Sequence, residues 1–210
     1  MRSALENALL YGICDLGYVS SEKAEDVSRA LLAGGVGILQ LRAKARDPGA
    51  LRDLSLKLRI LCDEFKIPFV INDHLELALE CGAHGLHLGQ DDGSLQEARE
   101  RVGPEMLLGR STHSLGQARQ ALLDKADYIG FGPLFPTPTK KGRPGIGLGK
   151  ICAMQEEVGM HIPAFCIGGI KASNLEAVKQ AGARRVVIVS HLLSSPVPKE
   201  ETRKILSQLS

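Results

Sequence analysis

Two basic side chains and an amide follow one short apolar segment in the first quarter of the chain. The segment reads Gln40-Leu41-Arg42-Ala43-Lys44, and in an extended strand the alternation of side chains places Gln40, Arg42 and Lys44 on one side. Two cations beside an amide form an edge suited to an anion, and arginine can hold a phosphate through two parallel hydrogen bonds. The alternative is a solvated loop with ordinary surface charge.

Carboxylates follow two further apolar segments. Asn72-Asp73 ends one of them, and Asp91-Asp92 lies shortly after the next. Two carboxylates that leave positions for water suit Mg²⁺ bridged to substrate phosphates. The alternative is helix N-capping, which Asp73 or Asp92 could perform, and spacing alone does not separate Asp91 from Asp92 as a ligand.

Hydroxyl groups, glycines and a lysine end the remaining apolar segments. These residues are Ser111, Thr137, Thr139, Lys140, Gly168, Gly169 and Ser190. Glycine allows a backbone N–H to approach a phosphate closely, while hydroxyls and an ammonium group can clamp it. Tight turns and helix caps are the alternative explanations. His113 is an acid–base candidate, although a histidine without a visible partner is more often a structural hydrogen-bonding residue.

The candidate groups include no evident protein nucleophile. We find no defensible Ser-His-Asp order, and the glycine-rich stretch 144–151 has Pro144 and Ile151 where a P-loop requires Gly and Ser or Thr. Phosphate-binding groups and two carboxylates without a nucleophile suggest displacement of a phosphate or pyrophosphate group. Positioning and electrostatics would drive that reaction without a covalent enzyme intermediate.

Apolar segments that alternate with helical patterns must position these residues. The predicted strands are Leu9–Cys14, Gly37–Leu41, Phe69–Ile71, Leu86–Leu88, Met106–Leu108, Tyr128–Phe131, Ala164–Ile167 and Val186–Val189. The predicted helices are Ser21–Ala33, Gly49–Glu64, Leu75–Glu80, Ser94–Val102, Ser114–Leu123, Leu148–Val158, Ala172–Ala181 and Glu200–Leu209, with Ser21 and Ser173 as caps. This alternation predicts βαβ units and a parallel sheet.

A faint repeat favours an eightfold barrel over an open doubly wound sheet. Gly34, Gly82 and Gly182 each stop a predicted helix ahead of a strand, and they lie 48 and 100 residues apart, near two and four units of about 26 residues. We therefore predict an α/β fold, a single-domain (β/α)8 TIM-type barrel over residues 1–210. In such a barrel the chemistry sits at the C-terminal strand ends.

Composition excludes several other classes. The 210 residues carry 26 basic and 24 acidic side chains, a net charge of +2, which argues against a nucleic-acid interface. Aromatic residues make up only 4%, so the core must be aliphatic, as in parallel sheets covered by helices. No apolar run reaches the about 18 residues of a membrane span, and the N-terminus lacks a signal-peptide layout. Five cysteines without a C-x-x-C motif indicate a reduced, cytoplasmic protein.

Taken together, the motifs at the strand ends resemble those of the thiamine phosphate synthase (thiamine-phosphate pyrophosphorylase) family. They are Gln40-Leu41-Arg42-x-Lys44, Ile71-Asn72-Asp73, His87-Leu88-Gly89-Gln90-x-Asp92, Gly109-x-Ser111, Gly132-Pro133-x-Phe135-Pro136-Thr137-x-Thr139-Lys140 and Ile167-Gly168-Gly169-Ile170. The resemblance follows the family's order and covers most of the chain. It implies a TIM-type barrel that joins 4-amino-5-hydroxymethyl-2-methylpyrimidine pyrophosphate to thiazole phosphate and releases pyrophosphate.

The resemblance also implies a role for each matching residue. Gln40 and Ser111 would contact the pyrimidine, and Asp73 and Asp92 would bind Mg²⁺. The pyrophosphate would be held by Arg42, Lys44, Asn72 and Lys140, of which the three cations would act in catalysis, and the thiazole phosphate by Thr137, Thr139, Gly169, Val189 and Ser190. His191 follows Ser190 where the family usually has a small residue, so it could narrow the phosphate pocket.

Two alternatives share this barrel. A thiazole tautomerase would rearrange the thiazole phosphate without Mg²⁺, with His113 as its acid–base group, and a non-catalytic barrel would only bind thiamine phosphate. Neither requires the intact set of pyrophosphate and metal residues. The sequence therefore favours the synthase and leaves the oligomeric state open.

Overall fold

The computed structural model of the chain describes residues 1–44, 46–137 and 144–209. Eight parallel strands pair in sequence order and close into a barrel, as predicted. The strands are β1 (Leu10–Asp15), β2 (Ile38–Arg42), β3 (Phe69–Asn72), β4 (Gly85–Leu88), β5 (Leu107–Thr112), β6 (Tyr128–Phe131), β7 (Ala164–Ile167) and β8 (Arg185–Ile188). Strand β1 pairs with both β2 and β8, which completes the closure.

Helices lie between and around the strands. They are α1 (Arg2–Asn7), α2 (Ser21–Gly34), α3 (Arg52–Glu64), α4 (Leu75–Glu80), α5 (Leu95–Val102), α6 (Leu115–Leu123), α7 (Ile151–Met154), α8 (Ala172–Gln180), α9 (Ser190–Leu193) and α10 (Pro198–Leu209). A 3-10 turn, Gly49–Leu51, precedes α3, and a π-helical turn, Gln155–Gly159, continues α7. In the described part of the chain no helix is long and apolar enough to cross a membrane.

The buried side chains form two clusters separated by the barrel wall. The inner cluster fills the barrel and contains Leu5, Ala8, Tyr11, Ile13, Ile38, Val70, Leu107, Tyr128, Phe165 and Val187. The outer cluster is larger, mostly aliphatic, and joins the outward faces of the strands to the helices. This division follows from the alternation of side chains along each strand.

Helix α1 covers the N-terminal end of the barrel. Its Leu5 is buried in the inner cluster, and Arg2 pairs with Asp127 ahead of β6. Arg185 at the start of β8 donates to the carbonyl of Glu6 over 2.7 Å. The C-terminal strand ends therefore form the open mouth of the barrel.

The strands agree with the prediction to within a few residues at each end, but several helix details do not. Helices α1 and α9 are additional to the predicted set, and the cap of α2 is Ser20 instead of Ser21. Helix α8 begins one residue after Lys171, whose N–H donates to Asn174 Oδ1 over 2.8 Å, so Ser173 is not its cap.

The predicted helix stops are correct at two of the three glycines. Gly82 and Gly182 have positive φ angles of 61° and 102°, whereas Gly34 is the last residue of α2 and Gly35 takes the left-handed conformation with φ 106°. The first stop is thus displaced by one residue.

Candidate active site

A single cavity at the C-terminal mouth of the barrel brings the predicted residues together. Its empty volume, with the solvent-open mouth included, is ≈ 1010 Å³. Its lining includes Gln40, Arg42, Lys44, Asn72, Asp73, Asp92, Ser111, Thr137, Gly168, Gly169, Val189 and Ser190. Thr139 and Lys140 lie outside the described residues. All the predicted site residues that the structure describes therefore share one cavity.

Arg42 is held in place by a buried carboxylate that our sequence analysis missed. Asp15 at the end of β1 is 2% exposed, and its Oδ2 accepts a hydrogen bond from Arg42 Nη1 over 2.6 Å. Its Oδ1 accepts the N–H of Gly17 over 2.9 Å. Because Asp15 is opposite Arg42 in the pairing of β1 with β2, the two side chains reach the same face. The guanidinium is thereby fixed at the edge of the cavity.

Asp73 and Asp92 lie close enough to influence each other's protonation. Burial, together with the neighbouring Asp92 carboxylate, raises the pKa of Asp73 to about 6. Burial alone would also raise the pKa of Asp92, but its hydrogen bonds with Asp73 and the Gly89 N–H, and the charges of Lys44 and Arg110, lower it. As the pH falls through about 6, the pair therefore takes up its first proton preferentially on Asp73. Lys44 Nζ lies 3.8 Å from Asp73 Oδ2 and partly offsets the negative charge.

Neither of these carboxylates caps a helix. The caps of α4 and α5 are His74 and Ser94, and Ser94 Oγ accepts the N–H of Glu97 over 3.1 Å. Asp73 has a φ of 66°, a conformation that few non-glycine residues adopt and that marks positions held by their surroundings. Asp92 accepts the Gly89 N–H over 2.7 Å. The capping alternative raised by the sequence is therefore wrong.

A chain of buried hydrogen bonds crosses the barrel at the base of the cavity, which its residues line. Gln40 Nε2 lies 2.9 Å from Tyr11 Oη, and Tyr11 Oη lies 3.0 Å from Tyr128 Oη. His87 Nδ1 lies 3.2 Å from Tyr128 Oη, and His87 Nε2 lies 2.9 Å from Ser111 Oγ. Burial, the largest cause, raises the pKa of both tyrosines above the usual value, so their hydroxyls keep their protons. From the sequence alone, Tyr11 and Tyr128 have no predicted function, and His87 appears only as part of a motif.

The glycine pair after β7 supports the segment that follows β6. Gly168 has a φ of 100°, and a Cβ atom there would lie 2.4 Å from Pro133 Cα, so a side chain does not fit. The N–H groups of Leu134 and Phe135 donate to the carbonyls of Ile167 and Gly168 over 2.8 and 3.1 Å. Gly168 therefore permits close packing of two backbones, in addition to lining the cavity.

The two histidines singled out by the sequence have structural contacts. His113 lines the cavity, and its Nδ1 hydrogen-bonds the carbonyl of Gly132. His191 Nε2 lies 2.7 Å from Glu201 Oε1 on α10, and the residue is not part of the cavity lining. The expectation that His191 narrows the phosphate pocket is therefore not supported by its position.

The carboxylates of Asp73 and Asp92, here called the acidic pair, are the feature of the cavity that fits a divalent cation. No group of three or more His, Cys, Asp or Glu residues is assembled as a metal site within the described ranges. Asp73 and Asp92 nonetheless supply two neighbouring carboxylates, and a bound cation would relieve the repulsion that helps to raise the pKa of Asp73. Mg²⁺ commonly takes one or two carboxylates and completes its shell with water and phosphate oxygens.

Comparison with known proteins identifies related chains. Residues 10–192 match the family model described as thiamine monophosphate synthase. A thiamine-phosphate synthase from Gloeobacter violaceus is 41% identical over 210 residues, which cover 100% of this chain and 60% of that protein. A thiamine-phosphate synthase from Thermus thermophilus is 40% identical over 90% of this chain and 91% of that protein. The chain thus spans little more than half the length of some relatives and nearly all of others.

Solved structures agree with these relatives. A thiamine phosphate pyrophosphorylase from Pyrococcus furiosus superposes with a TM-score of 0.85 and 29% identity, over 99% of this chain and 98% of that one. A 3-hexulose-6-phosphate synthase superposes with a TM-score of 0.70 at 14% identity over 96% of this chain and 100% of that one, which shows a shared fold alone.

Proposed function

The chain belongs to the thiamine monophosphate synthase family, and from that premise we propose that it is a transferase that makes thiamine phosphate. It would join 4-amino-5-hydroxymethyl-2-methylpyrimidine pyrophosphate to thiazole phosphate and release pyrophosphate. Residues 1–210 would act as one catalytic domain, and the expected location is the cytoplasm. The observation that carries the proposal is one cavity in which Arg42 and Lys44 lie beside the acidic pair Asp73 and Asp92.

The cations would hold the pyrophosphate and stabilise it as it leaves. Arg42, Lys44 and Asn72 line the cavity, and Lys140 is assigned to the same task by its place in the motif. The bond between the pyrimidine methylene and the pyrophosphate oxygen would break, and both electrons would leave with the pyrophosphate. The aminopyrimidine delocalises the positive charge left on the methylene. The substrate's thiazole nitrogen then attacks that carbon, so the protein supplies positioning and electrostatics but no nucleophile.

Asp73 and Asp92 would hold Mg²⁺. Both carboxylates line the cavity, and Asp92 helps to raise the pKa of Asp73, so a divalent ion placed between them would offset their repulsion. When bound, Mg²⁺ supplies charge stabilisation for the pyrophosphate oxygens. Lys44, 3.8 Å from Asp73, would remain available to the same anion.

The thiazole phosphate would bind on the opposite side of the mouth. Thr137, Gly168, Gly169, Val189 and Ser190 line this part of the cavity. Thr139 belongs to the same set by its motif. Backbone N–H groups near the glycine pair, together with the hydroxyls, suit a phosphate monoester.

The thiazole tautomerase and the non-catalytic barrel remain the competing functions. Neither needs a pyrophosphate clamp, whereas Arg42 is fixed by a buried carboxylate and Lys44 lies against the acidic pair. His113, the acid–base candidate of the tautomerase, already hydrogen-bonds a backbone carbonyl through Nδ1. These contacts favour the synthase.

The test is product formation from both substrates with and without Mg²⁺. We expect thiamine phosphate and pyrophosphate in equal amounts, loss of both with a chelator, and a large fall in rate for Asp92→Asn. Asp91→Asn is the matched control, because Asp91 is the adjacent carboxylate and does not line the cavity. Isomerisation of thiazole phosphate without any thiamine phosphate would identify the tautomerase instead.

Lys140→Ala separates the clamp from simple substrate binding. Its charge matters most as the pyrophosphate leaves, so we expect the chemical rate to fall more than the affinity for thiazole phosphate. Single-turnover rates and a thiazole phosphate titration measure the two effects. Unchanged turnover with weakened thiazole phosphate binding would refute this role.

A further inference from the structure

In the buried hydrogen-bond chain from Gln40 to Ser111, each group donates its proton toward Ser111. The Gln40 amide nitrogen can only donate, so Tyr11 Oη accepts from it over 2.9 Å. Tyr11 has one proton, and leaving a buried donor unused is costly, so that proton goes to Tyr128 Oη at 3.0 Å. We name this chain the relay; it consists of Gln40, Tyr11, Tyr128, His87 and Ser111.

The same reasoning fixes the second half of the relay. Tyr128 donates to His87 Nδ1 at 3.2 Å, so the imidazole accepts there and carries its proton on Nε2. The Nε2–H group then donates to Ser111 Oγ at 2.9 Å. Ser111 therefore keeps its own hydroxyl proton for a ligand, while Gln40 keeps its carbonyl oxygen. Within the described residues no other hydrogen bond engages that oxygen.

The surrounding residues leave space for the relay and bury most of it. A Cβ atom at Gly109 would lie 2.2 Å from Tyr128 Cζ and 2.5 Å from His87 Nδ1, so glycine is required where these two side chains meet. Phe165 packs edge-on against both tyrosine rings, with centroid distances of 5.4 and 6.1 Å. Gln40, both tyrosines and His87 are at most 8% exposed. Hydrogen bonds in such a site reinforce one another and share one direction.

We propose that the relay makes the cavity selective for an aminopyrimidine over the corresponding oxopyrimidine; this inference rests on the proposed function. Gln40 and Ser111 both line the cavity, on strands β2 and β5. They offer one acceptor, the Gln40 carbonyl, and one donor, the Ser111 hydroxyl. An aminopyrimidine is complementary, because its exocyclic amine donates and its ring nitrogen accepts.

An oxopyrimidine presents the opposite pattern. Its carbonyl accepts and its ring N–H donates, so it cannot pair with the Gln40 carbonyl and the Ser111 hydroxyl proton unless both ends of the relay reverse. Reversal needs the Gln40 amide to turn over and the His87 proton to move from Nε2 to Nδ1, with both tyrosine protons redirected in between. A partial reversal leaves a buried group without its partner. The discrimination therefore belongs to the whole relay and not to Ser111 alone.

Cutting the relay tests this assignment. Tyr11→Phe removes one hydroxyl from the middle and keeps both ends. We expect the ratio of kcat/KM for the amino pyrophosphate substrate to that for its oxo analogue to fall about tenfold, equivalent to about 1.4 kcal/mol. Tyr128→Phe should give the same fall and serves as a second variant if the first does not fold. Phe165→Leu is the control, because it alters packing against both tyrosines, makes no hydrogen bond, and should retain the ratio at whatever rate remains.

A second measurement does not depend on turnover. Nitrogen NMR of histidine-labelled wild-type protein, with the His87 signals assigned by their loss in His87→Asn, should show a neutral ring protonated on Nε2. A ring protonated on Nδ1 overturns the proposal, as does an unchanged ratio in both tyrosine variants. Failure of the wild-type protein to make thiamine phosphate would instead refute the proposed function, and the tautomer of His87 would still decide the direction of the relay.

Discussion

The buried carboxylate of Asp15 has a consequence that differs between the free and the anion-bound protein. Asp15→Asn keeps the shape of the side chain and an acceptor for the Gly17 N–H, but removes the negative charge that faces Arg42 over 2.6 Å. The two side chains are only 2% and 12% exposed, so Arg42 would be left as a largely buried cation without a counter-ion. Removing one partner of a buried ion pair costs about 3–5 kcal/mol.

We expect Asp15→Asn to lie at the lower end of that range because asparagine retains a hydrogen bond. A loss of about 3 kcal/mol in a domain of this size lowers Tm by roughly 6–12 °C. Inorganic pyrophosphate should restore part of this loss, because its charge takes the place of the missing carboxylate. The Tm gain on saturation with pyrophosphate should then exceed that of wild type by about 2–4 °C, which corresponds to about 1 kcal/mol.

Thermal unfolding with and without inorganic pyrophosphate measures both effects. Glu64→Gln is the control, since Glu64 pairs with Arg29 over 3.1 Å at the surface, where both side chains are about half exposed. Such a surface pair contributes at most about 1 kcal/mol. If Asp15→Asn lowers Tm no more than Glu64→Gln, or gains no more than wild type from pyrophosphate, Asp15 does not hold a cation of the pyrophosphate site.

Three further outcomes follow from the contacts described above. Burial, and secondarily the Arg59 charge, lowers the pKa of His84 to about 4, while the ring accepts the Phe69 N–H at 3.0 Å. The unfolded chain therefore binds more protons than the native protein between about pH 6.5 and pH 4. The free energy of unfolding then falls by about 2 kcal/mol as the pH drops through that window. In denaturant titrations at several pH values, His84→Gln should reduce this dependence of the unfolding free energy on pH. Gly168→Ala should lower the free energy of unfolding by several kcal/mol in the same titrations, because its Cβ atom would lie 2.4 Å from the Pro133 backbone at a φ of 100°. Ser190→Asp should weaken thiazole phosphate binding at least tenfold in a calorimetric titration by like-charge repulsion, and equal affinity would place that phosphate elsewhere.

The strand ends of the site could be predicted from the sequence because alternation is a local property. Gln40, Arg42 and Lys44 are two residues apart, so their common side follows directly from an extended backbone. The barrel closure then brings them to the cavity together with Asp73 and Asp92. The order of the parallel strands was therefore sufficient to predict that these residues meet, and no long-range side-chain contact had to be foreseen.

The supporting residues could not be predicted because their role depends on neighbours distant in sequence. Asp15 acquires its role from Arg42, 27 residues later, and His87 from Tyr128, 41 residues later. Sequence alternation does place Asp15 on the same side of its strand as Tyr11, which was the one signal available.

The helix caps were misread for a local reason. A serine followed three residues later by glutamate predicts a cap at Ser173, yet the Lys171 N–H instead bonds Asn174 Oδ1. The pattern that starts at Ser173 and the one that starts at Lys171 overlap within one turn. The residue types alone do not show which of the two caps is more stable.

The closed end of the barrel gives the protein a defined polarity. Helix α1 and its ion pair with Asp127 lie against the N-terminal strand ends, on the far side of the barrel from the cavity. A tag, a surface linkage or another domain joined ahead of Met1 would therefore leave from the face opposite to the mouth. When the protein is immobilised through its N-terminus, the active-site cavity of each molecule should face the solution. The N-terminus is therefore the preferred attachment point for binding measurements with both substrates.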